Sequence, residues 1–285
     1  MNIQRKLSMN NDQYCAESSD KALYQDYWDT QYKAKSTGWD LGQISPPIKE
    51  YIDTLNNKNY SILIPGCGNT YEAEYLLQEG FTNITVIDIA PTLVEELKQK
   101  FADNSSIKII QGDFFEHKGK YDLIIEQTFF CALPPTMRQK YVWKMHQLLV
   151  EDGILEGLLF NRSFEAGPPF GGSQQEYEKL FGSAFILLKM HVAPNSVVPR
   201  ANSELFFEFK KNSSVKVNLY QFEGTIRADS MAAIKNKFEA LNAVINANTS
   251  TNFAEVLIVS RKEILIEELQ KTISDDEKHS IIKSY

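Results

Sequence analysis

The sequence predicts an α/β fold: a mostly parallel sheet with helices on both faces, an antiparallel pair at its edge, and a small α+β module after it. Three observations predict it. Short runs rich in Ile and Val recur at residues 61–64, 84–88, 107–110, 121–126 and 153–160. Helix-like stretches such as PTLVEELKQKF and PTMRQKYVWKMHQLL lie between most of them, and strands alternating with helices form a parallel sheet buried on both sides. After KKNSS (210–214) the character changes: VKVNLYQFEGTI, DSMAAIKNKFEALNAVI, AEVLIVSR and KEILIEELQKTISDD read as strand, helix, strand, helix.

The elements divide the chain into a polar tail over 1–20, a main domain over 21–212 and the module over 213–285. Asp20 is placed to cap a helix over roughly 21–35, where Tyr24, Trp28 and Tyr32 form one aromatic stripe. The turn-rich segment STGWDLGQISPP ends it, and a second helix over roughly 46–56 leads to the strand SILI. The late runs 184–192 and 204–210, joined by a Pro-rich loop, supply the antiparallel pair.

Composition excludes several classes of function. A net charge of -7 and a pI near 5.3 do not suit a surface that collects phosphate backbones, so nucleic acid is not the expected partner. Neither a long apolar run nor a signal-like N-terminus occurs, so no membrane association is expected. Cys15, Cys67 and Cys131 are widely spaced, which predicts reduced thiols, a cytoplasmic protein and no bound metal. The oligomeric state is left open, a monomer being slightly favoured.

The most informative stretch is SILIPGCGNTYEAEYLL. Gly66 and Gly68 stand between a strand and a helix that begins near Thr70, where backbone can approach a ligand and free N–H groups face it. The next strand, ITVID, ends in Asp88, about 20 residues on, where an acid accepts from ribose hydroxyls. Together they point to an adenosine-containing cofactor: NAD(P), FAD or S-adenosylmethionine. A dinucleotide fold uses a third glycine beside its pyrophosphate, and Tyr71 stands there instead, which favours S-adenosylmethionine. Asp113 in QGDFF reads equally as an acceptor for an adenine amino group or as a cap, with Phe114 beside it. Trp28 reads as core packing or as an aromatic face for a sulfonium; Trp39, in a polar turn, is harder to explain by packing.

Several separated motifs resemble the thiopurine S-methyltransferase family, and within it the halide/thiol methyltransferases. They are YWDTQYKAKSTGWDLG, IPGCG, IEQTFFCALPPTMRQKYVWKMHQLLVEDG, and GPPF followed by an acidic helix, spanning roughly 24–210. The resemblance implies a Rossmann-like class I methyltransferase sheet and an S-adenosyl-L-methionine cofactor. It implies that Trp28 and Trp39 close over the cofactor, that Gly66 lies beside its methionine part with Gly68 in the same cofactor-binding turn, and that Asp88, with Ile89 next to it, holds the ribose. Asp113 and Phe114 would take the adenine, and Gln127 would sit near the sulfonium. The implied reaction is in-line methyl transfer to a small sulfur nucleophile (thiol, hydrosulfide, thiopurine, thiocyanate) or a halide, with a cofactor-binding protein without turnover as the alternative.

Two departures bear on the acceptor: Asn69-Thr70 in the turn, and Phe160 where the halide/thiol enzymes commonly carry tyrosine. Methyl transfer needs little acid/base machinery, which suits four histidines in unrelated contexts. On the acceptor side FNRSFEAGPPF offers Asn161 and Arg162, with Phe164, Phe170 and a rigid Gly-Pro-Pro turn; Glu126 is a candidate base or cofactor contact. The C-terminal module resembles a heavy-metal-associated domain that lacks both cysteines, whose places fall near Ala228 and Met231, so thiolate metal carriage is excluded.

Overall fold

The computed structural model describes residues 25–224, 226–250, 254–273 and 279–284. The expected tail, Asp20, Tyr24 and Cys15 lie outside them. Helix α1 (Gln25–Lys33) carries Trp28 and Tyr32 against the core. Helix α2 (Pro46–Asp53) opens on a proline pair, tolerated there because first-turn N–H groups have no intrahelical partner.

Seven strands form the main sheet: β1 (Ile62–Pro65), β2 (Ile84–Asp88), β3 (Ile107–Gln111), β4 (Tyr121–Gln127), β5 (Leu149–Phe160), β6 (Phe185–Val192) and β7 (Glu204–Lys211). Their order is β3-β2-β1-β4-β5-β7-β6. The first five pair in parallel, and β7 runs antiparallel to both β5 and β6. The reversed strand therefore lies inside the sheet and β6 forms the edge. Burial explains the placement: β7 buries Leu205, Phe206, Phe207 and Phe209 on both faces, while β6 leaves Ile186 and Leu188 exposed. Strand β5 first pairs at Leu149, kinks at Asp152 (φ 61°) and pairs again from Ile154, so it starts earlier than its apolar run.

Helices α3 (Tyr71–Gln78), α4 (Pro91–Lys100), α5 (Arg138–Leu148) and α6 (Gln174–Phe181) cover the sheet. The last begins with a capping box, Ser173 Oγ accepting from the Glu176 amide and the Glu176 carboxylate accepting from the Ser173 amide.

The C-terminal module contains β8 (Lys216–Phe222), α7 (Ala228–Glu239), β9 (Val244–Ser250), β10 (Glu255–Ser260), α8 (Ile266–Ile273) and β11 (Ile281–Ser284), in an antiparallel sheet ordered β11-β8-β10-β9. This is a βαββαβ arrangement, with two strands more than the sequence pattern suggested. Both extra strands are sheet edges; β9 reads VINANTS and β11 is four residues long, and edges of this kind carry little apolar signal.

Alternation along β8 and β10 divides their side chains between two cores. Val217, Leu219, Leu257 and Val259 join the core of the main sheet; Tyr220, Phe222, Val256 and Ile258 pack with α7 and α8. Helix α5 lies between the two sheets, so Tyr141, Val142, Trp143, Lys144, Met145, His146 and Leu148 are all buried. A surface helix buries one stripe; this one is enclosed because the module packs on its outer side.

Candidate active site

Strands β1 and β4 are neighbours although β2 and β3 intervene in sequence, so the connections leave in opposite directions and open a crevice at the carboxyl ends. A cavity of about 740 Å³ lies there. Its walls come from the segments after β1, β2, β3, β4 and β5 and from the loop before β7.

The turn after β1 is strained into shape by its neighbours. Gly66 and Gly68 adopt φ of 55° and 50°, and a Cβ on Gly66 would stand 2.2 Å from the Phe129 ring. Only glycine fits at that approach. Asp88, buried at the end of β2, accepts from the Gly68 amide through Oδ2 (3.2 Å) and from the Ala90 amide through Oδ1 (3.0 Å). Burial pushes its carboxyl above the usual range, opposed by these amides. The acid thus braces the glycine turn while lining the cavity beside Ile89.

Glu72, in the first turn of α3, lines the same wall, and burial pushes its carboxyl up to about 7. Thr70 Oγ1 and Gln127 Oε1 are buried without a hydrogen-bond partner, and both residues line the cavity. Orphaned polar atoms of this kind are expected where a polar ligand completes the site.

Aromatic residues form the roof. Trp28 and Trp39 meet edge to face at 5.4 Å, and Tyr32 meets Trp39 at 5.9 Å. The segment bearing Trp39 is tied down on two sides. Asp40 Oδ2 accepts from Asn69 Nδ2 and from the Tyr71 hydroxyl, and the Trp39 carbonyl accepts from Arg200 Nη2 at 2.6 Å. Asn69 in the turn and Tyr71 at the first position of α3 thereby hold the roof to the start of that helix.

Asp113 Oδ1 accepts from the Phe115 amide (2.8 Å) and caps a short 3-10 turn, while Asp113 and Phe114 line the cavity. Trp28, Trp39, Gly66, Gly68, Asp88, Ile89, Asp113, Phe114, Gln127 and Arg162 thus share one cavity. Glu126 and Asn161 stand outside its wall. Glu126 is fully buried and uses Oε1 to accept from the Phe129 and Phe130 amides, shaping the turn after β4; burial pushes its carboxyl up to about 7. Asn161 Oδ1 accepts from the Gln174 amide and anchors the start of α6.

The far end of the cavity is apolar, with Phe160, Phe164, Cys131, Pro168 and Pro169, and it carries Arg200. This arginine is buried, pairs with Glu204 at 3.2 Å and stacks on Phe160 at 5.6 Å. Sequence reasoning missed Arg200 and Glu72. An acid one turn past a glycine pair was a usable signal for Glu72; VVPRANSE gives none for Arg200, whose burial depends on the roof and β5. No histidine among the described residues lines the cavity.

Comparison with known proteins agrees with this geometry. The family model described as Thiopurine S-methyltransferase (TPMT) matches residues 23–215. A probable thiol methyltransferase 2 from Arabidopsis thaliana is 34% identical over 196 residues, 66% of this chain and 85% of that protein. A thiocyanate methyltransferase 1 from Brassica oleracea is 26% identical, over 65% of this chain and 84% of its own length. Among solved structures, the magnesium protoporphyrin IX methyltransferase from Synechocystis superposes with a TM-score of 0.53 at 17% identity, covering 68% of this chain and 97% of that one, which shows a shared fold. With this sheet order and a family match running from the roof helix to the end of β7, the chain belongs to the thiopurine S-methyltransferase family and is an S-adenosylmethionine-dependent methyltransferase.

Proposed function

We propose that the cavity holds S-adenosylmethionine at its glycine-turn end and a small anionic sulfur nucleophile at its Arg200 end. Asp88 accepts from the ribose hydroxyls while keeping its amide contacts, because each carboxylate oxygen has a second lone pair. Ile89 and Phe114 flank the adenine. Thr70 and Gln127 offer their orphaned oxygens to the methionine part, and Glu72 meets its ammonium. Trp28 and Trp39 cover the charged sulfur with aromatic faces and exclude water. The cofactor supplies a methyl group already activated by positive sulfur.

The observation that carries the acceptor reading is Arg200, a buried guanidinium in an apolar end of the cavity that no histidine lines. Arg200 directs one N–H at Glu204 and one at the Trp39 carbonyl; its remaining N–H donors favour the thiolate over the thiol, so an acceptor that ionises near neutral pH needs no separate base. Thiols, hydrosulfide and thiocyanate fit this chemistry, and a halide fits the charge. Arg162, exposed and stacked on Phe164 at 4.7 Å, guards the entrance. Phe160, lacking a phenol, orients the acceptor by shape alone.

A binding protein without turnover is not favoured, since the relatives are named as methyltransferases. No helix among the described residues is long and apolar enough to cross a membrane, and a reducing, cytoplasmic setting is supported by the free, buried Cys67 and Cys131. Transfer of labelled methyl to thiols, hydrosulfide, thiocyanate, iodide and thiopurines tests the proposal. Transfer to sulfur acceptors is expected; none to any of them overturns it.

A further inference from the structure

We propose that Glu255, supplied by the C-terminal module, belongs to the cofactor site and accepts a hydrogen bond from the adenine 6-amino group. The proposal rests on the cofactor pose given above. Glu255 is the first residue of β10, is only 4% exposed and lines the same cavity as Asp88 and Phe114. It lies beyond residue 215, outside the region matched to the family.

Its position follows from how the module docks. Gln139 Nε2, near the start of α5, donates to the Thr249 carbonyl at 2.6 Å, and the neighbouring Ser250 pairs with Glu255 across the β9–β10 ladder. The end of that ladder at which β9 passes to β10 is therefore held at the N-terminal end of α5. From the same end, Lys140 places its ammonium 5.3 Å from the centre of the Phe115 ring, and Phe115 meets Phe114 edge to face at 5.4 Å. Along β10, Glu255 shares a face with Leu257 and Val259, which join the core around α5. The carboxylate thus enters the cavity at its Phe114–Phe115 end, where the adenine is placed.

The chemistry is complementary. The adenine edge presents an amino donor beside ring-nitrogen acceptors, and this end of the wall presents a carboxylate from Glu255 and a donor-only ammonium from Lys140. Asp113, the residue that the sequence offers for the amino group, lines the same cavity and holds the Phe115 amide through Oδ1. Glu255 adds a second carboxylate on this wall, and a carboxylate accepts more than one hydrogen bond. Docking of the module and recognition of the cofactor are then one event.

Calorimetric titration of the full-length protein with S-adenosylhomocysteine, and with its analogue bearing hydrogen in place of the 6-amino group, tests this. The wild type is expected to prefer the amino form by about 10-fold or more, the value of a charge-assisted hydrogen bond. Glu255→Leu is expected to lose most of that preference, and Glu255→Gln to cut it to roughly a third, since a neutral acceptor bonds more weakly. Preference is a ratio of affinities, so general loosening of the fold does not move it, and thermal melting confirms that each variant is folded. Should Glu255→Leu fail to fold, the isosteric Gln variant decides. An unchanged ratio in a folded variant overturns the proposal, as does a wild type that binds both compounds equally. A wild type that binds neither overturns the cofactor pose itself.

Discussion

Asp88 illustrates how one carboxylate braces a site whose wall it also forms. Its amide contacts tie the glycine turn after β1 to the start of the segment after β2, and the residue lines the cavity. Asp88→Ala removes both, so S-adenosylhomocysteine affinity is expected to fall by roughly 10- to 100-fold, as for loss of a hydrogen bond to a charged group; calorimetry that finds unchanged affinity contradicts the ribose assignment. Glu72 makes a pH-dependent case. Its carboxyl is raised from the ordinary 4.5 to about 7 by burial, so the folded protein keeps a proton that the unfolded chain releases. Stability conferred by that proton is present below about pH 4.5 and is lost as pH rises through 7, a change of up to about 3 kcal/mol. Melting of the ligand-free protein from pH 5 to 8 is expected to show this decline, made shallower by Glu72→Gln. Affinity for S-adenosylhomocysteine should rise over the same range, as the carboxylate forms to meet the ammonium, and Glu72→Gln should flatten the rise. Arg200→Leu is expected to raise KM for a thiol acceptor at least about 10-fold, readable in steady-state kinetics, and to weaken S-adenosylhomocysteine binding by a smaller factor, because it also releases the Trp39 carbonyl that holds the roof.

Among the elements, the β1–α3 turn depends most on its neighbours. Gly66→Ala forces a methyl group into the Phe129 ring at a positive φ, so either the turn or the segment after β4 must move. The expected result is a folded protein with cofactor binding weakened by roughly 5- to 150-fold, since strain at such a position costs about 1–3 kcal/mol; wild-type affinity measured by calorimetry would show that Phe129 yields freely. The sequence made the glycine turn legible, because strand, glycine pair and helix follow one another within a dozen residues. It left Asn69 and Tyr71 looking like departures. Their partner, Asp40, is 29 and 31 residues away, and only the folded chain shows that all three hold the Trp39 segment. Glu126 was legible only as a polar residue at a strand end next to Gln127; the structure keeps it outside the cavity wall, with Oε1 holding the Phe129 and Phe130 amides.

At the scale of the whole molecule, the two sheets are joined through α5. Leu257 is 1% exposed on the face turned towards that helix. Leu257→Ala is expected to destabilise the protein by about 2–5 kcal/mol, and calorimetry should register one cooperative transition for both sheets, because the lost contact is shared. Two separated transitions, with the main domain unchanged, would show that the module folds independently. The chain alone determined the alternation of strands and helices, the glycine turn with its following Asp88, and the change of character after residue 210, since these are written in local periodicity and spacing. It could not determine that β7 lies inside the sheet, that Arg200 is buried beside Phe160, or that the module encloses α5 and brings Glu255 to the cavity wall. Those depend on which surfaces meet after the chain has closed on itself, and contacts between residues so far apart in sequence leave no local pattern to read.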